Sequence, residues 1–145
     1  MHLYLVHHAD AVGPHVDPQR PLSAAGQRHV EALAATAKAA GAAPAAIWHS
    51  GKLRARQTAE AFYRVCSPFA EFKMVRGLLP EDPAFYASDL AAGETRDIML
   101  VGHMPNLRDV LQLLVPGAAP FPLHGLVVLE RAEDGGPWTE IARLG

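Results

Sequence analysis

The chain has 145 residues, half of them hydrophobic, which is enough for one domain with its own core. Thirteen Lys and Arg against fifteen Asp and Glu leave a formal charge of −2, a balance that argues against a general nucleic-acid or membrane-surface binder. The single cysteine, Cys66, excludes an internal disulfide and a cysteine-built zinc site.

The elements alternate along the chain. Residues 2–7 (HLYLVH) read as a buried strand. Residues 23–40 read as a helix with Ser23 as its N-cap and Gly41 as its stop. A short strand at 47–50 (IWHS) precedes a helix over 52–66 with Leu53, Ala59, Phe62 and Val65 as its apolar positions. FKMVRG reads as a weaker third strand and 83–92 as a short helix. DIMLVG at 97–102 is a strong strand, followed by a helix over 105–115 with Pro105 in its first turn. Strands at 126–130 and 138–144 flank the turn Glu133-Asp134-Gly135-Gly136 and close the chain. This alternation predicts an α/β fold. It is a single-domain three-layer α/β/α sandwich over residues 1–145, with a mostly parallel central sheet and an antiparallel edge.

Three strand ends carry polar clusters: His7-His8-Ala9-Asp10, His49 to Thr58, and Gly102 to Asn106. In such sheets ligands bind where strand C-terminal ends meet helix N-termini, and free backbone N–H groups there suit an anion. Histidine and arginine are the side chains that hold phosphate. Successive strand residues face opposite ways, so His7 and His8 are poorly placed to chelate one metal, and arginine nearby repels a cation. No metal and no cofactor is expected. A neutral imidazole can attack phosphorus. A second histidine can meet the transferring oxygens and an arginine can neutralise their charge. His8, His103 and Arg54 make such a set. Asn106 is read as a helix cap or as a phosphate ligand through its amide. His2, His15, His29 and His124 read as surface or loop histidines, and His49 as a core or rim residue.

LYLVHHAD resembles the opening of the histidine phosphatase superfamily (phosphoglycerate mutase-like), where a strand ends in Arg-His-Gly. SGKLRARQT resembles its second motif, and VGHMPNL the segment with its second histidine. The short length and Asp10…Arg20-Pro21-Leu22-Ser23 are similar to the SixA-type phosphohistidine phosphatases. The resemblance implies His8 as a transiently phosphorylated nucleophile, Arg54 as a phosphoryl ligand, His103 as the second pocket histidine, and Arg20 near the phosphate. The larger members' acid-bearing insertion has only Leu79 to Pro83 as its counterpart, where Glu81 and Asp82, with Asp10 elsewhere, are the available acids.

His7 stands where the family has arginine, and Ala9 where it has glycine. Histidine is charged only below about pH 6.5, so His7 is expected to be a weaker, pH-dependent phosphate ligand. The Ala9 methyl is expected to crowd the ligand side of the backbone. The resemblance implies a metal-independent phosphatase acting on protein phosphohistidine. Two alternatives stand: a family member that binds phosphate or a phosphoprotein without turnover, and a phosphomonoesterase for a small ester. The partner is then a phosphohistidine-bearing protein or a small phosphate ester, with no nucleic acid and no membrane. MHLYLV lacks the features of a signal peptide and no apolar run approaches the ~20 residues of a membrane span, so a cytoplasmic monomer is expected.

Overall fold

A computed structural model describes all 145 residues. Six strands and four helices alternate as β1 (His2–His7), α1 (Ala24–Ala39), β2 (Ala46–His49), α2 (Leu53–Cys66), β3 (Glu71–Met74), α3 (Ala84–Ala92), β4 (Ile98–Gly102), α4 (Asn106–Leu114), β5 (Leu126–Glu130) and β6 (Thr139–Leu144). They form one sheet in the order β3-β2-β4-β1-β5-β6. The first four strands in that order run parallel, β5 pairs antiparallel with β1, and β6 pairs antiparallel with β5. The expected sandwich with an antiparallel edge is what the chain builds.

Period-two side-chain alternation divides the core between the two faces of the sheet. Tyr4, Val6, Met99 and Val101 pack with α1 and α2 around the buried Phe62. Leu3, Leu5, Ile98 and Leu100 pack on the other face with Leu107, Val110 and Leu111 of α4 and Ala87 and Ala91 of α3. Both faces are covered, which explains why β1 and β4 read as continuous apolar runs rather than alternating ones.

Two boundaries differ from the sequence expectation. The second strand starts one residue earlier and ends at His49, which leaves Ser50 free of the ladder. The third strand ends at Met74 rather than running on to Gly77. Val75 N–H still bonds to the His49 carbonyl at 2.9 Å, and the chain then turns away through Gly77, whose φ is +100°.

Helix α1 starts as expected: the Ser23 hydroxyl accepts from Gly26 N–H at 2.9 Å. The Ser23 hydroxyl also donates to Asp10 Oδ2 at 2.7 Å, so the cap ties the helix to the segment following β1. Gly26 is required there. A Cβ on it would sit 2.1 Å from the Asp10 carbonyl oxygen. Gly26→Ala should therefore cost about 1–3 kcal/mol of stability, as overpacking does. Urea unfolding of the variant checks this, and an unchanged midpoint would refute the close approach of helix and loop.

Candidate active site

The site lies at the edge where β1, β2 and β4 end. Parallel pairing puts His7 opposite Gly102, and His8 N–H donates to the Gly102 carbonyl at 3.0 Å. That pairing brings the His8 and His103 rings to 5.0 Å between centroids. The strand stops at His7, so His8 escapes the alternation and its ring lies 4.6 Å from that of His7. The expectation that the two histidines diverge fails because the second lies beyond the strand.

Hydrogen bonds set the tautomers. His8 Nδ1–H donates to the Ala9 carbonyl at 2.7 Å, which leaves the Nε2 lone pair free to attack. This is the arrangement a nucleophilic imidazole needs. His103 is 1% exposed and its Nε2 is held 2.7 Å from Ser50 Oγ. Its buried Nδ1 has no protein partner. When the Ser50 hydroxyl donates to Nε2, Nδ1–H is the donor left for a phosphoryl oxygen. Ala9 does not crowd the site: its methyl belongs to the core beside α1, and its N–H is taken by Thr58 Oγ1 at 2.9 Å.

Arg54, in the first turn of α2, has no carboxylate partner, and its buried Nε bonds to nothing in the protein. Arg20 sits in a left-handed backbone conformation (φ 51°) and donates through Nε to the Val12 carbonyl, again with no carboxylate. The two guanidiniums are close enough for Arg20, after burial, to depress the pKa of Arg54. Burial is also the main cause that lowers the imidazoles, helped by the Arg54 charge: His7 to about 3, His8 to about 4 and His103 to about 3. Neutral imidazoles beside arginines without carboxylate partners form a site suited to an anion.

Asn106 takes another role than the expected one, and His7 is a donor of another kind. Asn106 is fully buried, and its amide nitrogen donates to the carbonyls of Gly77 (3.2 Å) and Asp82 (2.9 Å). No amide donor is left for phosphate, and the side chain does not cap α4. Asn106 instead pins the loop that walls a cleft of about 380 Å³, lined by Ser50, Met74, Arg76, Asp82 and Tyr86 among others. His7 does not present an imidazolium. It is 6% exposed and its Nδ1 accepts from His124 N–H at 2.8 Å, so its one proton is on Nε2. It offers phosphate a neutral donor.

His124, read as a loop residue from the sequence, is in the site. Its ring stacks on His7 (4.8 Å, 7° between planes), and its Nδ1–H donates to the His8 carbonyl at 2.7 Å. The antiparallel pairing Val6↔Leu126 carries the residues before β5 to the end of β1. That topology, applied to the closing strands, was the available signal. One ring nitrogen from each of His7, His8 and His124 lies within 4.8 Å of the others, a grouping of the kind that holds metals. His7 has the wrong tautomer for it, since its Nε2 carries a proton while Nδ1 accepts from the backbone.

No protein-family model and no curated protein matches the sequence. Solved structures do. The chain is similar to a protein assigned as the phosphohistidine phosphatase SixA from Agrobacterium tumefaciens (27% identity, TM-score 0.80, 99% of this chain and 97% of that one). It is also similar to the protein histidine phosphatase SixA in complex with tungstate (21%, 0.86, 99% and 96%). The chain has the fold of these histidine phosphatases. A phosphoserine phosphatase from Entamoeba histolytica in complex with 3-phosphoglyceric acid shares the histidine phosphatase fold more distantly (14%, 0.74, 99% and 96%).

The buried imidazoles of this histidine phosphatase fold link its stability to pH. The unfolded chain binds protons at these histidines near pH 6.5, whereas the folded chain resists them down to about 3 or 4. Their contribution is fully present above about pH 6.5 and lost as pH falls towards the folded values. Urea midpoints should decline already between about pH 7 and pH 5, above the range where carboxylates titrate. A flat profile over that window would contradict neutral buried imidazoles.

Proposed function

We propose that residues 1–145 form a metal-independent phosphatase that removes the phosphoryl group from phosphohistidine on a partner protein. The observation that carries this reading is the free Nε2 of His8, fixed by the Nδ1–H bond to Ala9, beside two arginines without carboxylates. His8 attacks phosphorus and becomes phosphohistidine. Arg54 neutralises the oxygens, with Arg20 as a second cation and His7 as a neutral Nε2–H donor. His103 meets the phosphoryl group from the other side. Water then displaces the phosphoryl group from His8.

The likeness to the SixA structures supports a protein substrate. So does the cleft next to Ser50, whose rim exposes Met74 and Tyr86 to a partner surface. No helix is long and apolar enough to cross a membrane. Hydrolysis of a small ester is the second reading. It draws on the likeness to the phosphoserine phosphatase and on Arg76 in the cleft, a cation for a carboxylate or second phosphate.

The test is turnover of a phosphohistidine-bearing protein and of para-nitrophenyl phosphate. His8→Ala should abolish both turnover and the phosphoenzyme. Arg54→Gln should lower kcat/KM about tenfold to a hundredfold, since a charge-assisted bond is worth roughly 1.5–3 kcal/mol. Full activity in His8→Ala would remove His8 from the mechanism. Phosphate binding with no turnover by the native chain would turn the assignment to a phosphate-recognition protein.

A further inference from the structure

The site as described has a nucleophile and charge stabilisers but no group that gives a proton to the departing atom. Three carboxylates were candidates from the sequence. Glu81 is exposed and makes no hydrogen bond. Asp82 uses Oδ2 to accept from Leu79 N–H at 3.0 Å and so closes its own turn. Asp10 is the one placed beside a site histidine: its Oδ1 stands 4.0 Å from His124 Nε2.

His124 is held for a purpose its own sequence neighbourhood does not require. It adopts a left-handed backbone (φ 52°), a conformation that costs a non-glycine residue energy and that gathers at functional sites. Its Nδ1–H bond to the His8 carbonyl and its stacking on His7 fix the ring's plane. Nε2 is therefore the ring nitrogen left without a hydrogen bond. The His124 and His8 rings are 5.9 Å apart between centroids, and Asp10 Oδ1 stands 4.0 Å from His124 Nε2. In-line attack by His8 Nε2 puts the leaving atom of the first step, and the water of the second, at the same apical position opposite His8, so one proton carrier can serve both steps.

We propose that His124 is a catalytic residue of this chain, the proton donor to the leaving group and then the proton acceptor from water. The inference rests on the phosphatase reading above. In the first step the His8 Nε2 lone pair forms the N–P bond. The bond from phosphorus to the leaving nitrogen or oxygen breaks, and that atom keeps the electron pair and takes the proton from His124 Nε2. In the second step water forms an O–P bond and passes its proton to His124 Nε2, while the N–P bond breaks and its pair returns to His8. His8 Nδ1–H stays on the Ala9 carbonyl throughout. Protons and electrons balance over the cycle with no further reactant, and Asp10 offsets the charge while His124 carries the proton. The charged or titratable groups that face this ring are His7, His8 and Asp10, with Arg20 and Arg54 across the site.

Two aryl esters separate this role from a structural one. Para-nitrophenolate leaves without a proton, whereas phenolate leaves much better with one. His124→Asn is the informative variant. Asparagine tolerates the left-handed backbone, and its amide can replace Nδ1–H on the His8 carbonyl, so only Nε2 is lost. It should lower kcat/KM for phenyl phosphate about a hundredfold while changing that for para-nitrophenyl phosphate only a few-fold. In His124→Gly, added imidazole should restore phenyl phosphate turnover. Equal losses on both esters, with no imidazole rescue, would overturn the inference and leave His124 a positioning residue while the phosphatase reading stands. Should the native chain dephosphorylate a phosphohistidine-bearing protein and neither ester, an unchanged kcat/KM for that protein in His124→Asn would overturn the inference alone; no turnover of any of the three would overturn the phosphatase reading with it.

Discussion

The parallel pairing of β1 with β4 is the constraint on which the site depends. Its register, from Leu3 opposite Ile98 to His7 opposite Gly102, is the only thing that brings His8 and His103 together from distant parts of the chain. The core enforces that register. Tyr4, Val6, Met99 and Val101 must face α1 and α2, and Leu3, Leu5, Ile98 and Leu100 must face α3 and α4. A slip of one residue would turn each of these sets to the wrong side. The distance between the two imidazoles is thus fixed by apolar packing well away from either of them.

Electrostatics completes what packing begins. Arg20 and Arg54 have no carboxylate, so their charge is available to a ligand at no cost of breaking an ion pair. Burial of the imidazoles, and after it the Arg54 charge, keeps them neutral, and a neutral His8 is the nucleophilic form. Charge stabilisation held ready in this way needs no rearrangement when a phosphoryl group reacts.

The sheet was legible in the sequence because β1, β4 and β5 are short, apolar and bounded by turn residues. His8, Arg54 and His103 were legible because each lies where such a strand gives way to a loop or helix. The boundaries of β2 and β3 drifted, since a strand ends where its last backbone bond ends and not where its apolar residues do. Asn106 was misjudged because its amide faces two loop carbonyls brought near by folding, which no local pattern records. His124 was missed for a related reason. Its place depends on the antiparallel return of β5 and on a backbone conformation that histidine seldom adopts.

His7 and His124 are best understood as one unit. In the family that the N-terminal motif resembles, the position of His7 belongs to arginine, a long side chain that never gives up its proton. Here the space beside it is filled by the His124 ring, and the His7 Nδ1 is spent on the His124 N–H. The change at His7 is therefore not simply a lost cation. One permanent charge has been exchanged for two stacked rings, of which one is a neutral donor and the other has a free Nε2 with a carboxylate beside it. A guanidinium can only stabilise charge, while an imidazole can also carry a proton from one step of a reaction to the next. In a chain with only a short turn where larger relatives have an acid-bearing insertion, that exchange supplies the missing proton carrier from within the phosphate pocket.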